Sequence, residues 1–551
     1  MKKAIVSVLL TAIISCTLAQ TTTGKITGLK DAWGESITYI GEIKNKQPNG
    51  VGVAIYNNGH ALRYAGYFVN GLYQGKGTML FIKGAFLTGE WKNGKLSGKG
   101  SNLTENGNIF IGNFYDGKRS GKGNLMYTDN SILQGEWGDD KFNGRCIYIP
   151  AAAGTLNDNV YVDDKKNGPG YQYEIDTKKL FQGTWKNGDW QGATTNNYSS
   201  FLNKTDFYGE KTDKQILLGT LNRTTNLMAD TGFFYDLVSK KRYFGVYKNG
   251  IFDNGIVIRD DSTRYIGSLT KEGLSGYCYF YKVDNFFEEG VYVNDYLNGP
   301  NSLSIDLKKK SVYYGQADDK GFFTGKAWFV NNANDLYIGD YVKGRFTGQG
   351  LKMNKQGYGL KATWEDGYPI TVTSLTDDRG MAVSLTPKSL AEAITLVTKQ
   401  AEGDLDLIKG KEERESLFDL TPKSKSIITF PLGLKKDYIQ EDADYNLNYI
   451  APYLVTTDFA KAKAKYNELC KQVAALKIVL SKTDAPFALE GKPAEPDDKQ
   501  DTNACIFEFP NKDIVPYGYA VSVVMVKDDS GNYTVEIVLG DKESSVVTGE
   551  E

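Results

Sequence analysis

Side chains able to do covalent or metal chemistry are few in this chain. A single histidine, His60, stands beside the turn Asn57-Asn58-Gly59. A Ser-His-Asp or Cys-His site would have to use it, and a hairpin turn suits a surface residue better. The five cysteines, Cys16, Cys146, Cys278, Cys470 and Cys505, include no pair at zinc-site spacing, so no Cys and His ligand set can be assembled. Carboxylates alone could make a glycosidase pair, but the 67 Asp and Glu are scattered and nothing singles two of them out. Neither a phosphate-binding Walker loop nor a nucleophile elbow occurs. The reading is therefore of a non-enzymatic protein, with no catalytic residue, metal ligand or cofactor assigned.

What recurs instead is glycine set between aromatic residues. Tyr64-Ala-Gly66-Tyr-Phe68, Leu87-Thr-Gly89-Glu-Trp91, Phe110-Ile-Gly112-Asn-Phe114 and Leu133-Gln-Gly135-Glu-Trp137 carry their central glycines 23 residues apart. Each core leads into a turn pair (Asn70-Gly71, Asn93-Gly94, Asp116-Gly117, Asp139-Asp140) and then a second glycine group (Gly75 and Gly77, Gly98 and Gly100, Gly121 and Gly123, Gly144). A fixed period of this kind marks a repeat architecture. The apolar residues at i and i+4 and the glycine at i+2 share one strand face, with polar residues on the other. Asn-Gly supplies the positive φ of a tight hairpin turn, and the second glycines allow close backbone approach on the returning strand. Each unit is thus expected to be a β-hairpin whose rings stack on those of its neighbours.

The unit Tyr-x-Gly-x-Trp-x-x-Gly-x-x-x-Gly-x-Gly, recurring in register, resembles the MORN (membrane occupation and recognition nexus) repeat. The resemblance implies an elongated, twisted antiparallel β-solenoid used for binding or scaffolding, with no catalytic residues of its own. Further cores begin at Tyr39, Phe181, Tyr243, Tyr265, Glu288, Tyr313, Tyr337 and Leu360, the last with Ala362 in the glycine position as suits a terminal cap; units near Tyr161 and Leu217 are degenerate. The solenoid is bounded at 39–367, with about twelve clear and two degenerate units. Pro150 to Asn159 and Thr194 to Thr212 read as loops added to the array. At two strands per unit and ~4.8 Å per strand, the array would be a rod on the order of 130 Å long.

Ahead of it, residues 1–19 read as a signal peptide: Lys2 and Lys3, an apolar run from Ala4 to Ser15, and a small-residue site ending at Ala19. Ile13-Ile-Ser-Cys16 also fits a bacterial lipobox, in which Cys16 would be lipidated. Either way the mature chain is expected to be exported, whether periplasmic, cell-surface or secreted, with residues 20–38 as an N-terminal segment and no transmembrane helix in the mature chain. Residues 376–551 read as a separate α+β domain of no recognised family. Ser389-Leu-Ala-Glu392 opens a first helix as a capping box, and Asp458 to Ser481 makes a second with a lysine row (Lys461, Lys463, Lys465, Lys471) on its outer face. Cys470 and Cys505 share this domain and form a possible disulfide, the alternative being two buried thiols. Cys146 and Cys278, some five repeats apart, cannot pair in a straight array.

The fold class is therefore mainly β, an elongated antiparallel hairpin solenoid followed by a separate α+β domain. With a net charge of −2 and no continuous basic stripe in the array, nucleic acid and anionic bilayers are not expected partners. The expected function is interaction or scaffolding, with a protein partner or self-association on the solenoid. Glycan or lipid is the alternative ligand, held by the aromatic row Phe68, Trp91, Phe114, Trp137 and Trp185, with internal packing as the competing role of those rings. An unrecognised active site in 376–551 is the third reading.

Overall fold

Each unit folds as two strands joined by a tight turn, and consecutive hairpins continue one antiparallel sheet in chain order. Strand Phe86–Lys92 returns as Lys95–Leu103 through Asn93 (φ 52°) and Gly94 (φ 84°). Gly89 faces Gly100 across that hairpin, and Gly100 faces Gly112 of the next. The pairing repeats, so that Gly41, Gly52, Gly66, Gly77, Gly89, Gly100, Gly112, Gly123 and Gly135 form one unbroken row across the sheet. The first aromatic residue of a core lies flat over the glycine of the returning strand: a Cβ on Gly52, Gly77, Gly123 or Gly350 would fall into the ring of Tyr39, Tyr64, Phe110 or Tyr337. The sequence period is this packing rule written out. It yields fourteen hairpins among the described residues, at the positions expected.

The computed structural model describes residues 21–551 apart from 59–60, 153, 178, 194–206, 223, 402–404, 406, 414–422, 443–445, 481–484, 512–514, 517, 545–546 and 548–551. His60, Cys16 and the leader 1–19 lie outside the described residues.

The array is not a single rod. It divides into a 15-stranded sheet spanning Thr22–Lys30 to Asp189–Ala193 and a 16-stranded sheet spanning Phe207–Lys211 to Ala382–Val383. The two lie face to face. One buried cluster draws Ile40, Val53, Leu80, Ile109 and Met126 from the first layer and Ile216, Phe244, Ile256, Ile305 and Val330 from the second. Contacts between layers pair early positions with late ones: Lys25 N donates to Asp378 O at 2.7 Å, the Phe86 and Phe287 rings meet at 4.9 Å, and Arg242 Nη1 donates to Asn130 O at 3.2 Å. The second layer therefore runs back over the first. Of the Thr194 to Thr212 stretch expected as an added loop, Phe207–Lys211 is the first strand of the second sheet, and 194–206 lie outside the described residues. At ~4.8 Å per strand each layer is about 70 Å long, roughly half the expected rod.

The physical reason is that these strands are apolar on both faces. One face carries the rings; the other carries aliphatic residues near the strand starts, which need cover. Buried arginines fasten the layers at their loop edge. Arg63 Nη1 donates to Asn334 Oδ1 at 2.8 Å and Arg264 Nη1 to Gly107 O at 3.4 Å, both residues at most 1% exposed.

The array also extends beyond 39–367, by strand Thr22–Lys30 at the start and by Tyr368–Thr376 and Ala382–Val383 at the end. Of the Pro150 to Asn159 insertion only the first half is connection, since Thr155–Val162 is a strand. The C-terminal part has its own seven-stranded antiparallel sheet and two helices, α1 (Leu390–Ala401) and α2 (Phe459–Ala474). Glu392 N donates to Ser389 Oγ at 3.2 Å and Glu392 Oε2 accepts from Lys388 N at 2.9 Å, the capping arrangement read from sequence. α2 stops at Ala474, short of Ser481, because Ile478 turns out of the helix to bridge Phe487. This α+β part shares its core with the end of the second layer: Tyr337, Trp364 and Leu375 belong to one buried cluster with Ile394, Tyr449 and Ile537.

Candidate functional site

The aromatic row is spent on packing. Phe68, Trp91, Phe114 and Trp137 are at most 5% exposed. Trp91 meets Tyr64 and Tyr73 edge-on at 5.2 and 5.7 Å, and its Nε1 donates to Gly77 O at 2.9 Å. Trp137 meets Phe110 at 5.1 Å and carries the Arg119 guanidinium 4.1 Å above it. Tyrosines at the first core position close the same way: Tyr39 Oη donates to Glu42 O, Tyr64 to Tyr67 O, Tyr313 to Gln316 O and Tyr337 to Asp340 O, at 2.6–3.2 Å. As a ligand platform these four residues are corrected to core, because each packs edge-on against the first-position rings Tyr39, Tyr64 and Phe110, which themselves lie over glycines. Trp185 alone of the five is half-open, with Trp190 at 4.5 Å and Lys166 Nζ at 5.0 Å from its ring.

A different row escaped notice. Lys76, Lys99, Lys122 and Arg145 recur every 23 residues, each directly after the first glycine of the second pair. The signal is present in the sequence, but the hairpin explains the Gly-x-Gly pairs without it. So the array does hold a basic row, on the inner face of the first layer. Its ends are paired: Lys76 Nζ lies 3.1 Å from Glu289 of the second layer and 3.5 Å from Glu90, and Arg145 forks onto buried Asp158 at 2.9 and 2.8 Å. Lys99 and Lys122, between them, make no ion pair among the described residues. They line a cleft of about 820 Å³ between the layers, walled by Asn113, Asn124, Gln134 and Glu136 on one side and Asp230, Thr231 and Tyr279 on the other. Gln134 Nε2 donates to Asn124 Oδ1 at 2.9 Å, and Asn113 Nδ2 to Lys122 O at 3.3 Å.

In the C-terminal part, the disulfide expected between Cys470 and Cys505 is not formed. Both are free, buried thiols in hydrogen-bonding contact, Cys470 on α2 and Cys505 on strand Thr502–Glu508. Cys505 Sγ is also 3.2 Å from Lys492 O, which it reaches as a protonated donor. Cys146 and Cys278 are free as well; they lie in separate clusters, one in each layer, so it is the sandwich and not rod length that parts them. Glu536, 5% exposed on the central strand Tyr533–Asp541, is pushed up to about 7 by burial, with the Lys423 charge opposing. The α2 lysines are solvated and paired, Lys463 with Glu495 at 2.9 Å and Lys465 with Glu468 at 3.0 Å. Among the described residues no group of three or more His, Cys, Asp or Glu could hold a metal, and no helix is long and apolar enough to cross a membrane.

Stacked hairpins closed by ring-on-glycine packing, with polar groups turned to edges and clefts, define a β-hairpin repeat protein. The MORN-repeat family model matches residues 39–61, 64–86, 88–107, 110–132, 134–149 and 337–353, so the chain carries MORN repeats. MORN repeats are commonly protein or lipid interaction modules and generally non-catalytic. No curated protein sequence matches the chain. Among solved structures, the TCP domain of SAS-4 from Drosophila melanogaster, in complex with a proline-rich motif of Ana2, aligns at 9% identity and a TM-score of 0.11, over 44% of this chain and 90% of that one. Overlap that slight bears on neither fold nor function.

Proposed function

We propose that this is a non-enzymatic, exported scaffold protein that holds a protein partner, or a second copy of itself, along the tight-turn edge of its folded array. One observation carries the reading: large apolar side chains stand in the open beside the turns of both layers, Val69, Leu72 and Tyr115 in the first and Val291, Val293 and Tyr296 in the second, each 38–73% exposed. Repeated along two parallel edges, such residues suit an extended protein surface better than a small ligand. Export is supported by the Lys2-Lys3 and Ala4 to Ser15 pattern of the leader.

Cross-linking in intact cells, followed by mass spectrometry, tests the site against Tyr115→Lys and Tyr296→Lys. A defined protein, or this chain itself, cross-linked to the turn edge and lost in both variants is the expected result. Cross-links unchanged by the substitutions, or none at all, would refute the edge as a binding surface. The mature N-terminus, read on the purified protein, checks export: Gln20 or a lipidated Cys16 is expected, and an intact Met1 contradicts it.

A further inference from the structure

The fold-back encloses a space that neither layer has alone. Over most of their contact the layers are closed by aliphatic and aromatic residues, yet around Lys99 and Lys122 they stand apart, and charged and amide side chains join Ile111, Ile147 and Ile266 in the walls. We propose that this cleft binds an extended, hydroxyl-rich ligand without strong net charge, an oligosaccharide strand. The proposal is independent of the protein partner on the turn edge.

Three features select that chemistry. First, the volume of about 820 Å³ lies within the range of roughly 300–1,000 Å³ typical of ligand sites. Second, the charges cancel. Lys99 and Lys122 share the lining with Glu136 and Asp230, and Arg145 is neutralised by Asp158, so a polyanion finds no surplus positive field. An acyl chain or an apolar peptide would strip water from these ions and amides without replacing their hydrogen bonds. Third, donors and acceptors alternate. The Gln134 amide gives one hydrogen to Asn124 Oδ1, which leaves Gln134 Oε1 to accept and Asn124 Nδ2 to donate. A sugar hydroxyl does both at once, so a row of hydroxyls matches a row of amides. Tyr279 adds an aromatic surface from the second layer, of the kind on which the C–H face of a sugar ring rests. The wall is built by neighbouring strands from Lys95–Leu103 to Lys141–Ile149, a span of about 20 Å at ~4.8 Å per strand. That favours an oligomer over a single ring.

The test is calorimetric titration of the full mature chain with cellohexaose, maltohexaose, chitohexaose and, as the charged arm, hexagalacturonate. Thr231→Trp fills the cleft from the second layer, and Gln134→Ala removes one amide. Binding of at least one neutral hexasaccharide is expected, abolished by Thr231→Trp and weakened about fivefold by Gln134→Ala, the loss of one hydrogen bond. Melting temperature identifies a variant that fails to fold, in which case the other decides. No binding of any neutral probe overturns the proposal. So does binding that survives both substitutions, or binding confined to hexagalacturonate and lost steeply with salt.

Discussion

Lys76→Met is the sharpest test of the folded-back array. Lys76 and Glu289 are 213 residues apart in sequence, and their 3.1 Å contact exists only if the second layer covers the first. The Glu289 side chain is 3% exposed and that of Lys76 23%. Glu289 Oε1 also accepts from Tyr277 Oη, while Oε2 has no partner. Taking away the ammonium leaves a buried carboxylate with a single donor, which costs about 3–5 kcal/mol. Glu289→Leu costs less, about 1 kcal/mol, because Lys76 keeps Glu90 at 3.5 Å and can reach water. In Lys76→Met with Glu289→Leu no charge is stranded, so the double variant should unfold within about 1–2 kcal/mol of the wild type. The cycle then gives a coupling of about 2–5 kcal/mol. Urea unfolding followed by tryptophan fluorescence measures it, and small-angle scattering on the same samples reads the length. Additive single effects, or a particle near 130 Å instead of about 70 Å in its array, would refute the fold-back and everything built on the cleft.

Other expectations follow from single sites. Gly123→Ala drives a methyl into the Phe110 ring and should cost about 1–3 kcal/mol; Phe110→Leu in the same chain should recover part of that loss, and no recovery would mean the ring is not what the glycine accommodates. Glu536 keeps its proton in the folded chain up to about pH 7, whereas the unfolded chain releases it near its ordinary value of 4.5. Stability from this group is therefore fully present below about pH 4.5 and falls as pH rises through 7, by up to ~3 kcal/mol. Glu536→Gln should flatten that slope, and melting curves at pH 5 and pH 8 that still diverge as in the wild type would contradict it. The Cys470 and Cys505 thiols, already in contact, should close to a disulfide under diamide, each sulfur losing its hydrogen to the reagent. Peptide mapping that finds them apart after oxidation of the folded chain would show that the pair is held out of bonding geometry.

The hairpins were legible because their packing rule uses residues with no substitute. A ring lying on backbone demands glycine beneath it, and Tyr64 with Gly77 or Phe110 with Gly123 repeats that demand at a fixed interval. The fold-back was not legible, since the inner face shows no such constraint. Ile40, Leu80, Ile109 and Met126 read equally well as strand residues of a lone sheet, and contacts as distant in sequence as those of Arg63 and Arg264, some 160–270 residues away, reveal what covers them. Lys99 and Lys122 are visible in the sequence but carry no assignment there, because the glycines around them already have an explanation. Phe68, Trp91, Phe114 and Trp137 suit a ligand platform on residue type alone; burial decides the matter, and burial comes from their edge-on packing against neighbouring rings such as Tyr64 and Phe110. In residues 376–551 nothing repeats, so the elements could be read one by one but not their core, which is shared with the end of the array.

The exceptions to the repeat show that its signature concerns packing rather than recognition. Where the ring at the first core position is missing, the glycine is released too: Leu133 goes with Cys146 in place of glycine, and Glu288 with Ser302. Leu87 with Gly100 departs from this pairing, and there Leu96 and Phe114 crowd the glycine instead; Tyr265 with Cys278 and Tyr313 with Ala327 depart the other way, keeping the ring over a small residue. A small residue is thus kept wherever a neighbouring side chain crowds the position, and glycine is the commonest choice. A motif fixed by such contacts specifies how hairpins stack and leaves the remaining positions free to differ. Those free positions are the turn edges with Tyr115 and Tyr296, and the inner wall with Lys99, Lys122 and Gln134. On the proposed reading, specificity resides in residues that the family pattern does not constrain, and substitutions there should alter binding while leaving the fold intact.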